Sequence, residues 1–281
     1  MQVIRARTAG FCLGVDLALK KLDATITTPT QGRIATLGPI IHNPHVLREY
    51  AAKGVLCFDG PGDARAGDCV LIRAHGVPRE VERALLATGA HVRDATCPRV
   101  KKAQLAIGRA TADGSFLLLF GEANHPEVQG LVSYAAAGAR VFGSMQELRA
   151  IPLHADRQYV LASQTTQDRA AFVEIEAYLR GLKPDITVFQ TICDATRMRQ
   201  DEALAIARQV DAMVVVGGKQ SGNTRRLAGV AASCGIPTFH VESVEELDPA
   251  ALAPHGRVGL TAGASTPGGL IDAVQEFLGK I

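Results

Sequence analysis

The sequence predicts an α/β protein built as three similar small domains with mainly parallel sheets, pseudo-three-fold around a central cavity. Two observations carry this. Short apolar, β-branched runs alternate with helical runs along all 281 residues, the pattern of helices layered on parallel sheets. The chain also repeats itself, with one set of punctuating residues recurring at matched spacing.

The elements follow in order. QVIRA reads as a strand ending just before Cys12. RIATLG is a strand closed by Gly38, with His42 four residues on. CVLIRAH ends at His75 and leads into the helix start VPREVERALL. HVRDAT is a short strand before Cys97, and Pro98 suits the first turn of a helix, where its missing N–H costs nothing. SFLLLFG closes at Gly121, followed by His125 and Glu127. YVLASQT ends at Thr165, before the helix start TQDRAAFVEI. ICDATRMRQDEALA places Cys193 at a basic helix start, as TCPRVKKAQLA places Cys97. AMVVVGG closes at Gly217, followed by Ser221 and Asn223, and RVGLTAGAS ends at Ser265 before TPGGLIDAV.

Cys97 and Gly121 are 24 residues apart, as are Cys193 and Gly217. Each third therefore carries a strand–Cys–helix joint, a strand–Gly–polar loop and a second strand–polar loop. The expected domains are residues 13–96, residues 97–192, and residues 193–281 together with 1–12. In α/β sheets, the loops after strand C-termini carry ligands. Three such units facing one centre would line a cavity with Cys12, Cys97, Cys193 and several small polar groups.

Composition excludes some functions. With 30 basic and 28 acidic residues, and no Trp, neither nucleic-acid nor membrane binding is expected. No leader segment and no run of about 18 apolar residues is seen, and six cysteines are too few for a disulfide scaffold. A reducing cytoplasm is the expected setting.

Three thiolates one per domain, without C-x₂-C pairs, suit an iron–sulfur cluster better than structural zinc. With three cysteines on a cubic cluster, one iron keeps an open position for a ligand. Cys57 and Cys69 sit in apolar runs and read as core, and Cys234 lies near a helix end. His42, His75, His125, Ser221, Asn223 and Ser265 are modest hydrogen-bonding groups beside glycines and helix starts, a setting that favours phosphates. Glu127 is the one carboxylate in a repeated slot and is a candidate general acid, with Thr165 beside it. His45, three after His42, offers a weaker metal pair. His91, His154, His240 and His255 lie outside the repeated slots and read as structural or exposed. GGKQSGN does not meet the P-loop pattern, because Asn223 and Thr224 follow Gly222.

Taken in order, AGFCLGV, GPIIHNPHV, RAHGVP, DATCPRV, GEANHPEVQG, QTT, TICDAT, SGNT and TAGASTP resemble the 4-hydroxy-3-methylbut-2-enyl diphosphate reductases, from residue 10 to about residue 267. The resemblance implies a three-domain fold around a [4Fe–4S] cluster held by Cys12, Cys97 and Cys193, with the fourth iron binding the substrate hydroxyl. It implies a diphosphate site of His42, His75, His125, Ser221, Asn223 and Ser265, with Gly222 and Thr224 as further contacts. Some members carry a second serine at the place of Gly222. Glu127 matches the proton donor, with Thr165 in its hydrogen-bond network and His125 adjacent. The reaction implied is a two-electron, two-proton removal of the hydroxyl, giving isopentenyl and dimethylallyl diphosphate. Ferredoxin or flavodoxin is the implied electron donor. Two alternatives are another three-Cys cluster enzyme of the quinolinate synthase kind, a dehydrating condensation, and a cluster-based sensor. The sensor lacks any DNA-binding or partner element in the sequence.

Overall fold

The computed structural model describes every residue except Gln31. The chain opens with β1 (Gln2–Arg5) and α1 (Leu13–Ile26), then β2 (Ile34–Leu37), α2 (Pro44–Ala52) and β3 (Leu56–Phe58). β4 (Cys69–Ile72), α3 (Arg79–Ala87), β5 (His91–Asp94) and α4 (Pro98–Ala110) follow. Next come β6 (Phe116–Phe120), α5 (Pro126–Val132), β7 (Ala139–Phe142), α6 (Met145–Arg149), β8 (Tyr159–Ser163), α7 (Arg169–Leu182) and β9 (Thr187–Val188). The last stretch holds α8 (Asp194–Ala207), β10 (Ala212–Val216), α9 (Gly222–Ala232), β11 (Thr238–Val241), α10 (Pro249–Leu252), β12 (Arg257–Ala262) and α11 (Gly268–Gly279).

Among the described residues, these strands form three four-stranded sheets, all of whose pairings are parallel, with orders β3-β2-β4-β5, β7-β6-β8-β9 and β11-β10-β12-β1. The orders are the same motif three times. In the third copy the N-terminal β1 takes the outer position that β5 and β9 hold in the others. The repeat extends to single hydrogen bonds. Gly38, Gly121 and Gly217 each donate their N–H to the last residue of the neighbouring edge strand, Phe58, Phe142 and Val241, at 2.8, 2.9 and 2.9 Å.

The chain divides into two compact units. One comprises residues 1–16, 41–49 and 194–281, and the other residues 17–40 and 50–193. In the first, the β10 side chains alternate between two cores. Val214 and Val216 pack with Leu260, Ile271 and Val274, while Met213 and Val215 pack with Ala203, Leu227 and Ala231. Burial on both faces is why this strand reads as an unbroken apolar run. The second unit repeats the scheme. Leu118 and Phe120 pack with Phe172 and Ile175, and Leu117 and Leu119 with Ile107, Val128 and Leu131. A separate core around Ala35, Leu37, Val70 and Ile72 serves the β2–β4 sheet. Among the described residues, no helix is long and apolar enough to cross a membrane.

Cys69 is buried, as its apolar run implies, but Cys57 is exposed. The reason is position: β3 is an edge strand, and of its three residues only Phe58 is buried. Burial of what thiol surface Cys57 loses pushes its pKa up, despite a hydrogen bond with Thr36 that opposes the shift.

The start of β2 is tied to the turn before β4 by a polar anchor. The buried Asp68 carboxylate accepts from Arg33 Nη2 at 2.5 Å, Arg33 Nε at 3.1 Å and Arg65 N–H at 2.9 Å. The Arg33 guanidinium beside it holds the Asp68 carboxyl at about 2, below its ordinary 3.8. A depressed folded-state pKa supplies stability that is complete above pH ~4 and lost as pH falls toward 2. Asp68→Asn is therefore expected to cost roughly 1–3 kcal/mol at neutral pH, since it strips a buried acceptor from several donors. It should also flatten the acid limb of a melting-temperature profile between pH 4 and pH 2. An unchanged limb would remove this anchor from the account.

Candidate functional site

In the first unit, small polar side chains gather where β10 and β12 end. Ser221 caps α9, its Oγ accepting the Thr224 N–H at 3.3 Å. Gly222 and Asn223 open the helix, so their backbone N–H groups belong to a helix N-terminus, which favours negative charge. Ser265 Oγ donates to the His42 carbonyl at 3.2 Å, which brings those two loops together. Ser221, Asn223 and Ser265 are 6, 9 and 7 % exposed. Asn223 Nδ2 is buried with no hydrogen-bond partner among the described residues. A donor left this way costs free energy unless something accepts from it. Gly217 permits the turn: its φ is +143°, and a Cβ there would lie 2.5 Å from Thr266 Oγ1. His240 Nε2 lies 2.9 Å from the Gly217 carbonyl, so His240 is structural, as its place outside the repeated slots implies. Thr224 is fully buried behind the helix start, with its Oγ1 also lacking a partner.

The second unit presents an acid–hydroxyl pair. Glu127, in the first turn of α5, is 1 % exposed. Its Oε1 accepts the Thr165 N–H at 2.6 Å, and its Oε2 accepts the Thr165 hydroxyl at 2.9 Å. The two loops that carry them follow neighbouring strands, β6 and β8, so the sheet itself sets their separation. His125 caps α5, its Nδ1 accepting the Glu127 N–H at 3.1 Å. In the neutral ring this leaves the proton on Nε2, which becomes a donor. The His75 and His125 rings meet edge to face, with centroids 5.3 Å apart.

The cysteines require a correction. Cys12, Cys97 and Cys193 are partly exposed. Each immediately precedes or caps its helix, and each donates its N–H to the loop after the inner strand of its own sheet: Ala264, Ala74 and Thr165, at 3.1, 2.9 and 2.9 Å. The repeat therefore holds for their backbones. The expected three-cysteine ligand set does not. Among the described residues, no cysteine belongs to any group of three or more side chains whose metal-ligating atoms lie within 4.8 Å of one another. Equivalence of position within each sheet carries no information about separation between sheets.

The remaining histidines stand as follows. His91 and His154 are exposed. His45 is exposed too and lines a cleft of about 240 Å³ with Arg48, Glu242 and Glu246. Two polar residues that the sequence reading does not single out are placed here. Gln164 Oε1 accepts the Glu122 N–H at 3.2 Å and fixes the loop before His125. Arg73 follows β4 and packs against the loop that carries His75. A basic residue ending an otherwise apolar strand, two before a loop histidine, is the signal that points to it.

Comparison with known proteins agrees with this architecture. The LytB protein family matches residues 3–279. A 4-hydroxy-3-methylbut-2-enyl diphosphate reductase of Desulfovibrio desulfuricans is 59% identical, over the full length of both chains. One from Aquifex aeolicus is 40% identical, over 100% of this chain and 97% of its own. Of solved structures, (E)-4-hydroxy-3-methyl-but-2-enyl diphosphate reductase, described as the terminal enzyme of the non-mevalonate pathway, aligns over both full chains with TM-score 0.72 and 38% identity. A Plasmodium falciparum reductase shares the fold over 99% of this chain and 87% of its own, with TM-score 0.93 at 23% identity. With a family match from its third residue almost to its last, and relatives aligned end to end, this chain belongs to the LytB protein family.

Proposed function

We infer that the chain is a 4-hydroxy-3-methylbut-2-enyl diphosphate reductase. It reduces its allylic substrate to isopentenyl and dimethylallyl diphosphate. The end-to-end match at 59% identity carries this reading. It also sets aside the condensing and sensor alternatives. The reaction breaks one allylic C–O bond, consumes two electrons and two protons, and releases water. An iron–sulfur group would supply the electrons, and we propose ferredoxin or flavodoxin as their donor.

The side chains divide the work by their placement. Glu127 is the proton donor to the departing hydroxyl, because an allylic hydroxide is a poor leaving group until protonated. The Thr165 N–H, at 2.6 Å, holds the carboxyl in place, and the Thr165 hydroxyl, at 2.9 Å, is positioned to pass a proton to it. His125 orients the first turn that carries Glu127 and offers Nε2–H to the substrate. His42, His75, His125, Ser221, Asn223 and Ser265 bind the diphosphate, with the backbone at Gly222 and Thr224 adding helix N-terminal charge. Diphosphate binding remote from the reacting carbon orients the alcohol and supplies the interaction energy that chemistry then uses. Redox chemistry and six cysteines too sparse for a disulfide scaffold together favour a reducing cytoplasm as the place of action.

The test is anaerobic turnover of 4-hydroxy-3-methylbut-2-enyl diphosphate with a chemical reductant, with both C5 diphosphate products measured alongside iron and sulfide content. Protein that carries iron and sulfide but releases neither product would overturn the assignment.

A further inference from the structure

After β4 the chain turns tightly, and Arg73 closes that turn. The Gly76 N–H donates to the Arg73 carbonyl at 2.9 Å, and Gly76 has φ +73°, so Ala74 and His75 are the central residues of the turn. The Arg73 side chain reaches around the outside, where Nε–H donates to the Gly76 carbonyl at 3.3 Å. Its far end packs on Gly38, where any Cβ would overlap Nη1. Gly38 itself has φ +71°, so that position both needs the conformation and leaves the room.

Among the described residues, no carboxylate pairs with Arg73, and burial pulls its guanidinium pKa down. An ion pair therefore does not explain a cation held partly out of water here. What its planar head does is bridge two loops. One carries His75 and the other leaves β2 at Gly38. A lysine lacks both the Nε–H and the flat face that this bridge uses.

We propose that Arg73 is a positioning residue that holds the His75 turn in the geometry the diphosphate requires. This rests on the reading of His75 as a diphosphate contact. The experiment is a double-mutant cycle on anaerobically prepared holoenzyme, with Arg73→Met, His75→Ala and the two combined, read as KM and kcat separately. Arg73→Met should raise KM about ten-fold with kcat within about two-fold, the loss of one bond from a charged donor expressed in substrate binding. Because Arg73 acts through His75, the double variant should have a KM within about two-fold of His75→Ala alone. Arg73→Lys, which keeps the charge and is the milder test should the methionine variant fail to fold, should also raise KM. A wild-type KM in Arg73→Lys, or effects of the two sites that simply multiply, would overturn the proposal. An unchanged KM in His75→Ala instead removes the reading of His75 itself, and the proposal with it.

Discussion

Replacing Glu127 by glutamine lowers kcat by about 10²–10⁴-fold, the range for loss of a positioned general acid, while KM and melting temperature stay near wild type. The geometry explains the separation. Oε1 accepts the backbone N–H of Thr165 and Oε2 its hydroxyl. Glutamine keeps a carbonyl oxygen for the N–H. Its amide NH₂ then faces the Thr165 hydroxyl, which can rotate from donor to acceptor. Neither buried group loses a partner, so the usual penalty for cutting a buried hydrogen bond does not apply. What disappears is the transferable proton. Steady-state kinetics with a melting curve on the same preparation check this. A variant with normal kcat would take Glu127 out of the chemistry.

Asn223→Asp raises KM by roughly 100-fold or more, because it sets a carboxylate against a diphosphate at a site excluded from water, where like charges repel strongly. Asn223→Ala is the more telling variant. The Asn223 Nδ2 is buried and has no hydrogen-bond partner among the described residues. Its removal relieves an unmet donor, so the folded protein should be as stable as wild type, or slightly more so, while substrate binding weakens by about ten-fold. Residues that serve the fold do not behave this way: their loss lowers stability. A melting temperature that falls together with a normal KM would show that Asn223 serves the fold and not the ligand.

Much of the candidate site is legible in the sequence because its signals are local. Gly38, Gly121 and Gly217 end strands, and four residues later His42, His125 and Ser221 stand at or just before a helix start. Such punctuation follows from backbone conformation and capping, which a short stretch of chain dictates. Edge strands are harder to see. β7, β9 and β11 lie at sheet edges, with only two residues in β9, and lack the continuous apolar run of the inner strands. Cys57 is exposed rather than core because its apolar run forms an edge strand.

From its sequence alone this chain declares a thrice-repeated α/β motif and its family, because strand burial, glycine turns and helix caps are written in runs of a few residues. Tertiary structure alone decides which side chains meet. It joins both Thr165 donors to Glu127, seals the His75 turn with Arg73, and brings no three cysteines within ligand reach among the described residues. Distances between segments far apart in the chain depend on how whole layers pack, and no local pattern of residues encodes that packing.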